Sequence, residues 1–177
     1  MKRTAYGLLV LGALTSGAYA QAVGQNAQAQ FIDAQETDLG VLTLSQSQNG
    51  VSISGTLSGL SEGEHGFHIH QVGECDPATN FESAGGHFTP MGNQHGFDNP
   101  DGPHAGDMEN QSADNNGEMV IDVTNEMVSL LEGEEGYLFD DDGSALMIHS
   151  QADDYQTDPG GNSGDRVACA VIEPSQE

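Results

Sequence analysis

The chain is poor in cations: lysine and arginine number 3 in 177 residues, against 28 aspartates and glutamates, for a formal net charge of −25. A surface so short of positive charge cannot neutralise phosphates, which excludes nucleic acid as a partner and disfavours anionic membranes. Long apolar runs are missing too. The longest, residues 5–14, is about half of the roughly 20 residues that a membrane-spanning helix requires. No internal repeat and no Pro-rich or Ser-rich linker divides the sequence, helical periodicity is weak throughout, and 18.5 kDa is the size of one ordinary domain. What is present is glycine, 24 residues without a period, and short alternating runs of apolar and polar residues. Together they describe many turns between short strands rather than a disordered acidic tract.

Lys2 and Arg3 ahead of that apolar run, with Ala18-Tyr19-Ala20 behind it, have the make-up of a secretory signal peptide over residues 1–20, which leaves residues 21–177 as a single mature domain. Cleavage after Ala20 removes two cations and no acid, so Arg166 stands alone against 28 carboxylates, a charge of −27. An exported protein meets an oxidising compartment, the periplasm or the extracellular medium. Cys75 and Cys169 are therefore expected to pair, and closing so long a loop is worth roughly 4 to 5 kcal/mol in the chain-entropy picture.

The alternating segments predict eight strands of an antiparallel all-β domain, at residues 30–34, 40–45, 51–57, 66–71, 118–123, 128–131, 145–149 and 166–173. Asn49-Gly50, Asn116-Gly117 and Asp142-Gly143 supply the positive φ angles of tight turns. Two stretches, 72–116 and 150–165, are long, polar and glycine-rich. A compact domain does not leave such loops loose unless something other than a core fixes them.

All seven histidines fall between His65 and His149. In His65-Gly66-Phe67-His68-Ile69-His70, strand alternation sends Phe67 and Ile69 to one face and His68 and His70 to the other. The first long loop adds His87, His95, His104 and Asp107, three imidazoles and a carboxylate of the kind that binds Zn(II) tetrahedrally. His149 ends the run 145–149 and shares the outward face with His68 and His70. Imidazoles without a thiolate favour tetragonal Cu(II). Six histidines and one aspartate are one donor short of two four-coordinate sites unless a ring is shared through both of its nitrogens.

These motifs, Gly66-Phe67-His68-Ile69-His70, Gly85-Gly86-His87-Phe88-Thr89-Pro90 with His95, His104 and Asp107, and Asp165-Arg166-Val167-Ala168-Cys169-Ala170-Val171-Ile172, resemble those of the copper,zinc superoxide dismutase family in its exported, bacterial form. The resemblance covers nearly all of the mature chain. It implies an eight-stranded Greek-key barrel or sandwich with two long functional loops, and an enzyme that converts superoxide to O2 and hydrogen peroxide by alternating Cu(II)/Cu(I). It implies copper on His68, His70, His87 and His149, and zinc on His87, His95, His104 and Asp107, with His87 as the shared ring and proton carrier. Arg166 would guide the anion, the Cys75–Cys169 disulfide would form, and Asp153 would hydrogen-bond His68 and His95. His65 would tie loop backbone without binding metal. Homodimers and monomers both fit this pattern. A metal-buffering protein of the same fold is the main rival, and the presence of all seven ligand positions and of Arg166 speaks for the enzyme.

One feature departs from the family. The loop 150–165 has no lysine and carries Asp153, Asp154, Asp158 and Asp165, so the anion-attracting field expected there is missing. Screening over about 8 Å damps distant carboxylates but not an arginine beside the reacting anion. The acidity as a whole is expected of a protein adapted to salty surroundings.

Overall fold

The alternation of apolar and polar residues is realised as nine antiparallel strands in the computed structural model, which describes residues 25–175. The proposed signal peptide lies outside the described residues. Strands β1 (Asn26–Asp33), β2 (Asp38–Ser47) and β3 (Gly50–Leu57) form successive hairpins, with Gly50 at φ 108° in the expected Asn-Gly turn. They are followed by β4 (Gly63–His65), β5 (Phe67–His70), β6 (Gln111–Ala113), β7 (Met119–Asn125), β8 (Ala145–His149) and β9 (Arg166–Pro174). The strand order is β4-β6-β7-β3-β2-β1-β9-β8-β5. Its two outer strands, β4 and β5, are consecutive in sequence and separated by Gly66 alone, so one extended segment joins the two edges and nearly closes the sheet into a barrel.

The barrel interior takes alternate residues from each wall: Ala27, Ala29 and Phe31 of β1, Leu42 and Leu44 of β2, Val51 and Ile53 of β3, Phe67 and Ile69 of β5, Leu146 and Ile148 of β8, and Ala168, Ala170 and Ile172 of β9. Burial of these side chains drives closure, at about 25 cal/mol for each Å² of apolar surface removed from water. A second, smaller cluster lies outside the barrel. Phe81, Ala84, Ala145, Met147 and Cys169 pack with Cys75 and Ile32, beneath the start of the first long loop. The Cys75–Cys169 bond, with Cα atoms 5.7 Å apart, staples that loop to β9 as expected.

The strand expectations need two corrections. Residues 128–131 are not a strand: Val128 and Leu130 are buried, but the segment folds back on residues 136–138 through hydrogen bonds from Ser129 to the Gly136 carbonyl and from Leu138 to the Ser129 carbonyl. Its alternation comes from plugging the core beside Leu138. Strands β4 and β6 were not expected, because three-residue strands are too short to show a period, and the predicted strand 66–71 begins only after Gly66.

Candidate metal centre

β5 and β8 pair in a register that sets Phe67 opposite Ile148 and Ile69 opposite Leu146. Those four side chains fill the barrel, so His68 and His70 are turned outward, and His149 joins them from the end of β8. The first long loop then covers this outer face by running beside β5. Ile69 donates its N–H to the Gly106 carbonyl, Phe88 donates to the Ile69 carbonyl, and Gln71 donates to the Gly86 carbonyl, at 2.8–3.0 Å. A side chain at Gly106 would collide with the Ile69 carbonyl, so glycine is required where loop and strand come this close. The loop is also better anchored than its polar sequence suggests, since Phe88, Ala105 and Met108 reach the main core.

Covered in this way, the histidines are buried, and they fall into two groups that share one ring. The donor atoms of His68, His70, His87 and His149 all lie within 4.8 Å of one another, as do those of His87, His95, His104 and Asp107. All seven residues are thus brought together, and His87 belongs to both sets. His65 stays outside both, with its ring between the carbonyl oxygens of His149 (2.6 Å) and Ser61 (2.8 Å).

In the first group each barrel histidine spends one nitrogen on the protein and leaves the other bare. His68 Nε2 donates to Asp153 Oδ2 at 2.6 Å, His70 Nδ1 to the Gly85 carbonyl at 2.9 Å, and His149 Nδ1 to the Gly164 carbonyl at 3.3 Å. The opposite atoms, His68 Nδ1, His70 Nε2 and His149 Nε2, are buried without any partner. A buried, unsatisfied polar atom costs about 1–3 kcal/mol. Three such atoms converging, with their tautomers fixed so that lone pairs point into one space, form a donor set that a bound cation would satisfy. Protonation does not compete for those lone pairs. Burial lowers all four rings: His70 falls well below the usual imidazole range, His87 to about 4 and His149 to about 3, with the neighbouring histidines adding to the shift.

The second group is organised by a carboxylate. Asp107 Oδ1 accepts from His87 Nδ1 at 2.8 Å, His95 Nδ1 at 3.0 Å and His104 Nδ1 at 3.3 Å. Ligands about 2.0–2.1 Å from a tetrahedral ion are about 3.3 Å apart, so little movement separates this hydrogen-bonded arrangement from a coordinated one. Burial alone would raise Asp107, but the hydrogen bonds from the three rings and from the Gly96 N–H hold it well below the ordinary carboxylate range. The donor set suits a hard-to-borderline divalent ion.

Asp153 links the two groups: Oδ2 accepts from His68, and Oδ1 accepts from His95 Nε2 at 3.0 Å. Two residues that sequence reasoning did not single out fix its position. Asn110 clasps the Asp153 backbone, accepting from its N–H at 2.8 Å and donating to its carbonyl at 2.9 Å. Tyr155 donates its backbone N–H to Asp153 Oδ1 at 2.6 Å, and its hydroxyl accepts from the Asn110 N–H. Gly161, at φ +64°, lies against the same carboxylate where any side chain would collide with it. Nothing in the spacing of Asn110 or Tyr155 marks them in advance.

Arg166 lines the open cleft above His70, His87 and His149. Its Nη1 donates to the Phe81 carbonyl and its Nη2 to the Gly85 carbonyl, both at 2.7 Å. The Gly85 oxygen therefore ties the guanidinium to His70. The acids of loop 150–165 are largely engaged in local structure: Asp153 as above, Asp154 with Thr157, Gln156 and Asn162, and Asp158 accepting from the His95 N–H. They serve as turn caps and ties.

A family model described as copper/zinc superoxide dismutase matches residues 39–172. The copper-zinc superoxide dismutase 2 of Aquifex aeolicus is 47% identical over 147 residues, which cover 82% of this chain and 85% of that one. The extracellular copper-zinc superoxide dismutase of Caenorhabditis elegans is 33% identical over 145 residues, covering 78% of this chain and 62% of that protein. Among solved structures, an SOD-like protein from Bacillus subtilis is 38% identical, with a TM-score of 0.77 over 81% of this chain and 97% of its own.

Proposed function

Since the chain belongs to the copper/zinc superoxide dismutase family, an oxidoreductase family whose substrate is superoxide and whose cofactors are copper and zinc, we propose that the two histidine groups are its metal sites. His68 Nδ1, His70 Nε2, His149 Nε2 and His87 Nε2 would hold copper, and His87 Nδ1, His95 Nδ1, His104 Nδ1 and Asp107 Oδ1 would hold zinc. The observation that carries this assignment is the single ring, His87, common to both groups. Bound copper supplies one-electron chemistry in both directions, so that two superoxide anions and two protons become O2 and hydrogen peroxide.

The protein's own contribution is positional. Arg166, held by two carbonyls, keeps guanidinium N–H groups available to an anion above the four histidines by charge-assisted hydrogen bonding. His87 Nε2 would take up and hand on a proton for peroxide, while Nδ1, as a member of the second donor set, keeps the ring in place. Asp153 orients His68 and His95 together, and the covering loop keeps water away from the rest of each ring. Locating both ions by anomalous scattering on the metal-loaded protein tests the assignment. Two ions within reach of one imidazole are expected, and ions too far apart for one ring to touch both overturn it.

The same reading places the protein outside the cytoplasm, in the periplasm or secreted after cleavage following Ala20. The Cys75–Cys169 bond and the leader-like composition of residues 1–20 support this. N-terminal sequencing of the exported protein checks it, with Gln21 as the expected first residue. With long-range attraction missing from so acidic a molecule, the superoxide rate constant is expected to stay flat or rise from low to moderate ionic strength, and a steep fall overturns that expectation.

A further inference from the structure

Of the four carboxylates that line the cleft, those of Glu82 and Asp165 accept no hydrogen bond among the described residues, and only Glu82 reaches Arg166. Asp33 caps its own turn by accepting from the N–H groups of Gln35 and Thr37, and Asp158 accepts from the His95 N–H. Glu82, on the rim of the same cleft, has a side chain 72% exposed, and its Oε2 lies 3.5 Å from Arg166 Nη2. Among the described residues it is the one acid within ion-pair distance of that guanidinium. It sits there by construction. Phe81, buried and in the left-handed region at φ 61°, anchors the turn and gives its carbonyl to Arg166, so the next residue must emerge beside the guanidinium.

We propose that Glu82 is a charge filter on the Arg166 anion position, a tethered carboxylate that an incoming anion must displace and that penalises a dianion more than a monoanion. The inference rests on the assignment of Arg166 as the anion-guiding group. The two carbonyls occupy one N–H on each Nη, and Glu82 faces one of those that remain. Because its side chain is exposed and holds no hydrogen bond among the described residues, it moves aside without disturbing the fold. Its repulsion scales with the charge of the entering ligand. A unit charge a few ångströms away in a water-like medium changes affinity about threefold for a monoanion and about tenfold for a dianion. Superoxide is a monoanion, whereas inorganic phosphate above neutral pH is a dianion, so the filter favours the substrate over an abundant competitor at the expense of some affinity for both.

The test uses the metal-loaded protein and Glu82→Gln, an isosteric change at an exposed position. Azide binding is followed by the visible absorbance of the copper, and inorganic phosphate by its competition with azide at about pH 8.5. At low salt the variant should bind azide about threefold and phosphate about tenfold more tightly, and the difference should shrink as added salt shortens the Debye length. Asp165→Asn, on the same cleft but without a guanidinium contact, should shift both affinities less. No change in Glu82→Gln, or an equal gain for the two anions, overturns the filter while leaving the metal assignment intact. A wild-type protein that binds no azide overturns that assignment, and the filter with it.

Discussion

The first histidine group hangs on the barrel and the second on a loop, although His87 belongs to both. His68, His70 and His149 project from two paired strands whose opposite faces are packed into the core, so their backbone is fixed by the same burial that stabilises the fold. His87, His95, His104 and Asp107 all come from the stretch between β5 and β6, where regular pairing is absent and the chain is held by the Cys75–Cys169 bond, a few backbone bonds to Ile69 and Gln71, three apolar anchors and the carboxylates of Asp107, Asp153 and Asp158. The bare lone pairs of the first group and the carboxylate-bound rings of the second express the same difference. On the proposed assignment the strand-borne donors are placed by the barrel itself, whereas in the loop-borne set a bound ion would take over part of the work of folding.

Removing one donor from each group has the largest expected effect. His70→Ala should lower superoxide consumption more than about 100-fold, beyond the 10- to 100-fold expected from losing an outer hydrogen-bond partner. It should leave amide hydrogen exchange across residues 89–107 unchanged. His104→Ala should do the reverse to the loop, speeding exchange there by at least about tenfold as local opening becomes easier. Exchange measured on the metal-loaded proteins decides it, and a loop equally protected in His104→Ala would mean that the apolar anchors, not the ion, hold it.

Asp153→Asn should affect both groups at once, because Asp153 bonds a ring in each. An amide has one acceptor oxygen, so either His68 or His95 loses its partner and metal affinity should fall by about 10- to 100-fold. Chelator competition for each metal shows which side suffers more. Undiminished affinity for both would remove Asp153 from the positioning network.

Much of this was legible in the sequence because its signals are periodic or chemically rare. His68 and His70 alternate with Phe67 and Ile69, so the strand and its two faces could be read together, and all seven donors could be picked out in a chain with few other histidines. The cysteine pair followed from compartment and count. What escaped is non-periodic. Residues 128–131 alternate like a strand, yet they plug the barrel, because burial against Leu138 produces the same pattern as burial in a sheet. Strands β4 and β6 are defined by their partners rather than by their own residues. Asn110, Tyr155 and the Phe81 carbonyl act through backbone groups whose positions only the folded loops determine. Glu82 is one acid among 28 until its distance to Arg166 is known.

The smallest effect separates the two groups by pH in the metal-free protein. Burial depresses His68 and His70, and takes His87 to about 4 and His149 to about 3. As pH falls through about 6.5 the unfolded chain gains a proton at each of these rings and the folded chain does not, so stability is lost from about pH 6.5 downward. His95, in the loop group, has the opposite sign. Burial would lower it, but the hydrogen bonds to Asp107 and Asp153 outweigh that and raise it to about 9. Its contribution is complete below about pH 6.5 and disappears as pH rises towards 9. Depressed rings outnumber the raised one, so the melting temperature of the metal-free protein should drop more steeply from pH 6.5 to about 4.5 than from pH 6.5 to about 9. Equal slopes on the two sides would mean that the barrel histidines are not held neutral by burial, and the contrast between a strand-built and a loop-built site would lose its electrostatic half.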